Sequence, residues 1–177
     1  MPNTTSTDIH MYHEQQEKQL CLLHTLNNLL QEKAFAKRDL DTLCESLDER
    51  QWFNAHRSMF GLGNYDVNIL MAALATKDLS VTWFDNRLKF KNVKPENVYG
   101  YIFNKPTSGV WGYLTRGRHW FAVLQLQNGL FYNFDSKLSK PTIIDDFETF
   151  FDKHIEVGDQ IFLVTKPESS ENCVTNK

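Results

Sequence analysis

The chain of 177 residues is long enough for one well-packed domain, and its 41% hydrophobic, 13% aromatic and 23% charged residues are ordinary for a globular protein. A formal net charge of -3 gives no basic footprint for nucleic acid or anionic lipid, and no apolar run approaches the roughly 18–20 residues that span a bilayer. Three widely spaced cysteines cannot form a disulfide framework and no signal-peptide pattern opens the sequence, so a reduced, monomeric protein of the cytoplasm or also the nucleus is expected.

Residues 1–10 are polar and patternless and read as a disordered N-terminus. Leu22, Leu23, Leu26, Leu29 and Leu30 recur at the spacing of one helix face and predict a helix over 21–32. A second helix is predicted over 37–47, with Leu40, Leu43, Cys44 and Leu47 on one side. The following stretch, through His56, Arg57, Ser58 and the punctuation Gly61-Leu62-Gly63, reads as a helical hairpin returning to a third helix. That helix is predicted over 66–77, capped by Asn64 or Asp66, with Val67, Leu70, Met71 and Leu74 inward. The texture then turns strand-like: runs of β-branched and aromatic residues occupy 79–84, 98–103, 119–126, 130–134 and 160–165, with one more helix over 145–154. Residues 167–177 are polar and expected to form a disordered tail, leaving 11–166 as the domain. Helices followed by strands, without βαβ alternation, indicate an α+β fold with an antiparallel sheet.

Cys21 falls in the first turn of the first predicted helix, where orphan N–H groups and the positive end of the helix dipole favour a thiolate. Taken alone it reads better as a small apolar residue of a core helix. A cysteine nucleophile needs a base and a group that orients the base. His119 opens the strand 119–126 and Asp135 closes the strand 130–134, and the turn Gln127-Asn128-Gly129 makes the two a hairpin. The order Cys, His, Asp matches papain-like enzymes, and Gln16, five residues before Cys21, suits an oxyanion donor. Register supplies an internal test. An even, two-residue loop would set Asp135 opposite Ala122 and throw His119 and Asp135 onto opposite faces, so an odd loop with Gly129 in the left-handed region is expected. His24, one turn from Cys21, is the rival base, but parallel side chains on one helix leave no cleft for a carbonyl. Cys21, His24 and His119 lack the paired spacing of a metal site, and neither metal nor cofactor is expected.

The motifs His13-Glu14-x-Gln16, Leu20-Cys21, His24-x-Leu26-Asn27-Asn28, His56-Arg57-Ser58, Gly61-Leu62-Gly63-Asn64-Tyr65-Asp66, Arg118-His119-Trp120 and Tyr132-Asn133-x-Asp135-Ser136-Lys137-Leu138 resemble the Josephin domain, and its short, domain-only members in particular. The resemblance runs over about residues 11–166. It implies a papain-like α+β fold with a helical hairpin over about 31–62 beside the cleft, and hydrolysis of the isopeptide bond after the C-terminal glycine of ubiquitin. It implies Cys21 as nucleophile, His119 as base and then acid, Asp135 as orienter (asparagine in the larger ataxin-type members) and Gln16, rather than Gln15, as oxyanion donor.

The partners so implied are ubiquitin and ubiquitinated proteins. Ubiquitin contacts map to Val67 and Asn68, although Val67 also reads as core, and Lys77 stands where ataxin-type members carry tryptophan. Trp120 and the run Gly109-Val110-Trp111-Gly112-Tyr113 could wall a slot that admits glycines only, or Trp120 could pack beneath His119. No ubiquitin-interacting helix follows, so recognition through the domain alone is expected. The alternatives are a ubiquitin-binding module with a closed or weakly active site, and a thiol enzyme acting on a ubiquitin-like modifier or small ester.

Overall fold

The computed structural model describes residues 10–16, 20–52, 65–107 and 118–175. Among the described residues three helices come first: α1 (Cys21–Leu30), α2 (Lys37–Trp52) and α3 (Tyr65–Ala75). The strands β1 (Ser80–Trp83), β2 (Gly100–Pro106), β3 (Arg118–Gln125), β4 (Phe131–Asn133) and β5 (Thr142–Ile144) follow, then α4 (Phe147–Glu156) and β6 (Gln160–Thr165). The six strands among the described residues join one sheet in the order β1-β6-β2-β3-β4-β5, each pair antiparallel. The fold is α+β, and the sheet flanked by helices agrees with the papain-like arrangement expected.

The central strands are apolar on both faces because both faces are covered. Ile102, Trp120, Ala122, Leu124, Phe162 and Val164 turn toward Leu23, Leu26 and Leu29 of α1 and Leu70 and Leu74 of α3. Tyr101, Phe103, Phe121, Val123, Ile161 and Leu163 turn the other way, toward Phe147, Phe151 and Ile155 of α4. Burying each such side chain contributes about 1.5–3 kcal/mol before the cost of ordering it. The second face is rich in phenylalanine: Phe131 stacks on Phe147 at 4.0 Å, and Phe84 meets Phe151 edge-on at 5.1 Å. α4 starts where it does because Asp146 caps it, its carboxylate accepting from the Thr149 N–H at 3.0 Å.

Several expectations need correction. Met71, expected inward, is 46% exposed, while Ile69 and Ala73 are buried. In Tyr65–Ala75 almost every position is apolar, so the pattern names no single face; the buried arc centres on Leu70 and Ala73, and Met71 falls outside it. The tail from residue 167 is not disordered as far as Thr175. Pro167–Asn172 forms a 3-10 helix, Val174 bridges Val93, and Cys173 is buried in the phenylalanine-rich core. α2 runs further than residue 47 and packs on α3. The second arm of the hairpin, the cap residue Asn64, the first nine residues and the run Gly109-Val110-Trp111-Gly112-Tyr113 lie outside the described residues. Among the described residues no helix is long and apolar enough to cross a membrane.

Candidate active site

Cys21 is the first residue of α1, which lies against β3. Its Sγ is 3.9 Å from the Arg118 carbonyl at the start of β3, so the end of the helix meets the end of the strand. His119 is the next residue of that strand, 2% exposed. Its Nε2 lies 2.7 Å from Oδ1 of Asp135, 7% exposed, and Cys21 is near enough to its ring to add to the upward pull on the His119 pKa. The three residues that sequence order singles out therefore meet at one place.

The hairpin register explains the meeting. Val123 pairs with Asn133 and Leu124 with Tyr132, and the Leu126 N–H donates to the Leu130 carbonyl at 3.0 Å. The loop is thus the three residues Gln127, Asn128 and Gly129, an odd number, with Gly129 at φ 77°. The same register carries on through Phe134, whose N–H donates to the Ala122 carbonyl at 2.9 Å. Asp135 then follows opposite Phe121, on the face His119 shares. A tight turn fixes the carboxylate further: Asp135 N–H donates to Asn133 Oδ1 and Lys137 N–H donates to Asp135 Oδ1, both at 2.9 Å.

Electrostatics follow from these contacts. Burial pulls the His119 pKa down, but its bonds to Asp135 and Cys21 outweigh that and hold it above the ordinary histidine value, while Lys137 opposes them. Burial pushes Asp135 up, and the bonds from His119 and the Lys137 N–H carry it below the usual carboxylate range. Both shifts run in the direction that favours a charged imidazolium facing a carboxylate. A ring held by a carboxylate beside a thiol is equipped to take the thiol's proton and return it elsewhere.

His24, the rival base, is engaged otherwise. Its Nδ1 is 2.7 Å from Oε2 of Glu14. Burial raises the Glu14 pKa, but hydrogen bonds from Tyr12, His24 and Asn27 bring it below its ordinary value. Gln16 donates its N–H to the Ser136 carbonyl at 2.8 Å, and Ser136 Oγ donates to Gln16 Oε1 at 3.4 Å, which turns the amide nitrogen away from Ser136. Gln16 thus lies beside the Asp135 turn.

Trp120 is corrected: it is 1% exposed, tilted against Phe162 within the α1-side core, and offers no surface to a partner. Val67 is likewise a core residue, whereas Asn68 is half-buried. Glu14, Asn28 and Ser136 stand in the sequence motifs without an expected role. The signal that could flag them is Asn27-Asn28 in mid-helix, where asparagine is a poor helix former unless its side chain is hydrogen-bonded elsewhere. Among the described residues no three or more His, Cys, Asp or Glu side chains converge as metal ligands.

Comparison with known proteins bears on the family. The Josephin family model matches residues 16–165. The chain is 39% identical to a Josephin-like protein of Drosophila melanogaster, over 94% of this chain and 79% of that one. It is 38% identical to Josephin-2 of Mus musculus, over 94% and 92% respectively. Human Ataxin-3 is 26% identical, over 87% of this chain and 45% of its own length. By the match over most of its length and by these identities, the chain belongs to the Josephin family.

Proposed function

We propose that this protein is a thiol-dependent deubiquitinase that hydrolyses the bond after the C-terminal glycine of ubiquitin by acyl transfer. Membership of the Josephin family supports a deubiquitinase-type role of the cysteine class. The observation that supports the mechanism is the buried His119, bonded to Asp135 through Nε2 and adjoining, through Arg118, the Cys21 thiol at the start of α1.

With Nε2 held by Asp135, Nδ1 is the nitrogen that receives the Cys21 proton. The thiolate attacks the glycine carbonyl carbon, and the C–O double bond becomes a tetrahedral oxyanion. Gln16 and the Cys21 backbone N–H donate to that oxygen. When the intermediate collapses, the C–N bond breaks and His119 gives its proton to the leaving lysine amine, so a thioester remains on Cys21. A water molecule, deprotonated by His119, attacks the thioester. Ubiquitin leaves with a free carboxylate and the thiol is restored. Asp135 keeps the imidazolium oriented through each proton transfer and is not itself protonated. Asn68, on the half-buried side of α3, is the remaining sequence-derived candidate for a ubiquitin contact.

The test separates catalysis from binding. Cys21→Ala should abolish cleavage of isopeptide-linked diubiquitin while leaving ubiquitin affinity, measured by titration calorimetry, unchanged. Cleavage that survives in Cys21→Ala would refute the mechanism. Wild-type protein that binds ubiquitin but never cleaves it would instead establish a binding module with a closed site.

A further inference from the structure

Residues 12–16 run antiparallel to α1 and are strapped to it at alternate positions. The Gln31 side-chain amide accepts from the Tyr12 N–H at 3.0 Å and donates to the Tyr12 carbonyl at 3.1 Å. One turn closer to Cys21, the Asn28 amide treats Glu14 in the same way: it accepts from the Glu14 N–H at 2.6 Å and donates to the Glu14 carbonyl at 3.1 Å. The next alternate residue, Gln16, passes from the helix to the Asp135 turn, donating to the Ser136 carbonyl.

Asn28 does one thing more. Its amide nitrogen also donates to the Phe134 carbonyl at 3.1 Å, the residue immediately before Asp135. One fully buried side chain therefore holds three backbone groups on two segments. One of those segments leads into Gln16 and the other into Asp135, and Asn28 itself stands on the helix that begins with Cys21. Replacing a buried amide of this kind leaves its partners unsatisfied in a place that water does not reach. Its neighbour Asn27 bonds the Phe35 backbone and the Glu14 carboxylate, and reaches no segment that carries Asp135.

We propose that Asn28 is a positioning residue of the acyl-transfer reaction: it sets the register of the Gln16 segment and of the Asp135 turn against the nucleophile helix. It touches neither substrate nor reacting atoms, and it acts by holding the oxyanion donor and the orienting carboxylate in place together. This rests on the reading of Cys21, His119 and Asp135 given above.

The experiment compares wild type, Asn28→Ala, Asn28→Asp and Ile155→Ala on ubiquitin carrying a fluorogenic C-terminal amide, with kcat and KM measured from pH 5 to 10 (an assay range of about five units). Ile155 lies in α4, across the sheet from Asn28 and within the phenylalanine-rich core, and reports what loss of stability alone does. Asn28→Asp keeps the acceptor for the Glu14 N–H but removes both donations, and so serves if the alanine variant does not fold. Both Asn28 variants should lower kcat by about tenfold to a hundredfold, the range for a misplaced reacting group or a lost oxyanion donor. KM should stay within about twofold, since ground-state binding is untouched. The alkaline limb of kcat/KM should move to lower pH, because His119 loses the register with Asp135 that holds its pKa up. Ile155→Ala, matched in thermal stability, should move neither kcat nor the limb. Folded Asn28 variants with wild-type kcat and an unmoved limb would overturn the assignment of Asn28 alone. Wild type with no limb that responds to His119→Gln would overturn the catalytic reading, and the role of Asn28 with it.

Discussion

The chemistry rests on a short list of side chains whose charges are set by contact. His119 and Asp135 form a buried pair at 2.7 Å, and each shifts in the direction that keeps both charged. Folding raises the His119 pKa above its unfolded value of about 6.5, so its contribution to stability is complete below that pH and is lost as pH rises through the folded value. Folding lowers Asp135 below about 3.9, so its contribution is present above that pH and is lost as pH falls through the folded value. The pair stabilises the protein most between about pH 4 and 6.5. Asp135→Asn keeps a hydrogen-bonding oxygen but removes the charge. It should retain partial activity, shift the alkaline limb of kcat/KM to lower pH, and narrow the thermal-stability gap to wild type as pH rises past neutrality. Melting curves at pH 5 and 9 on both proteins check the last point, and a gap that widens with pH would contradict the sign.

At the level of elements, the site is assembled by a loop of the right parity. Gln127, Asn128 and Gly129 bring Asp135 onto the His119 face, and Gly129 adopts φ 77°, where a β-carbon is strained but has open space around it. Gly129→Ala should therefore lower stability by about 1–2 kcal/mol through backbone strain rather than clash, and Gly129→Asn should recover most of that loss. Urea denaturation of the three proteins decides it; an alanine variant as stable as wild type would place the loop in another conformation. The parity is legible in the amino-acid sequence, because two residues that must share a face allow only an odd loop. α1 is legible too, from a leucine stripe that fits one face and no other. α3 is not, since a helix apolar on nearly every side does not say which side is buried, and Met71 is exposed against expectation for that reason. β5 leaves no signal because three residues on a sheet edge carry no periodicity. The straps from Asn28 and Gln31 leave none either, because they join residues 14 and 19 positions apart, through contacts that only the folded chain creates.

At the scale of the whole molecule, the sheet divides two kinds of core. The α1 and α3 side carries the nucleophile, while the α4 side is filled by phenylalanines and closed by the C-terminal residues. Residues 167–175 look dispensable in the sequence because they are polar, yet Cys173 is 1% exposed and its carbonyl accepts from the Lys94 N–H at 2.9 Å. Their anchor is Val93, some eighty positions earlier, which no local pattern reveals. Truncation after Lys166 should remove about 2 kcal/mol or more of burial and hydrogen bonding, lowering Tm by roughly 4–8 °C. Turnover at 25 °C, an ordinary assay temperature near that of the reference energies, should persist, because the lost segment is on the far face from Cys21. The most direct measurement on the molecule as a whole is the intact mass after incubation with ubiquitin bearing a thiol-reactive electrophile at its C-terminus. One added ubiquitin is expected for wild type, Cys44→Ala, Cys173→Ala and His24→Gln, with none for Cys21→Ala and strongly slowed addition for His119→Gln. An adduct that survives Cys21→Ala, or one that depends on His24 and not on His119, would contradict the site.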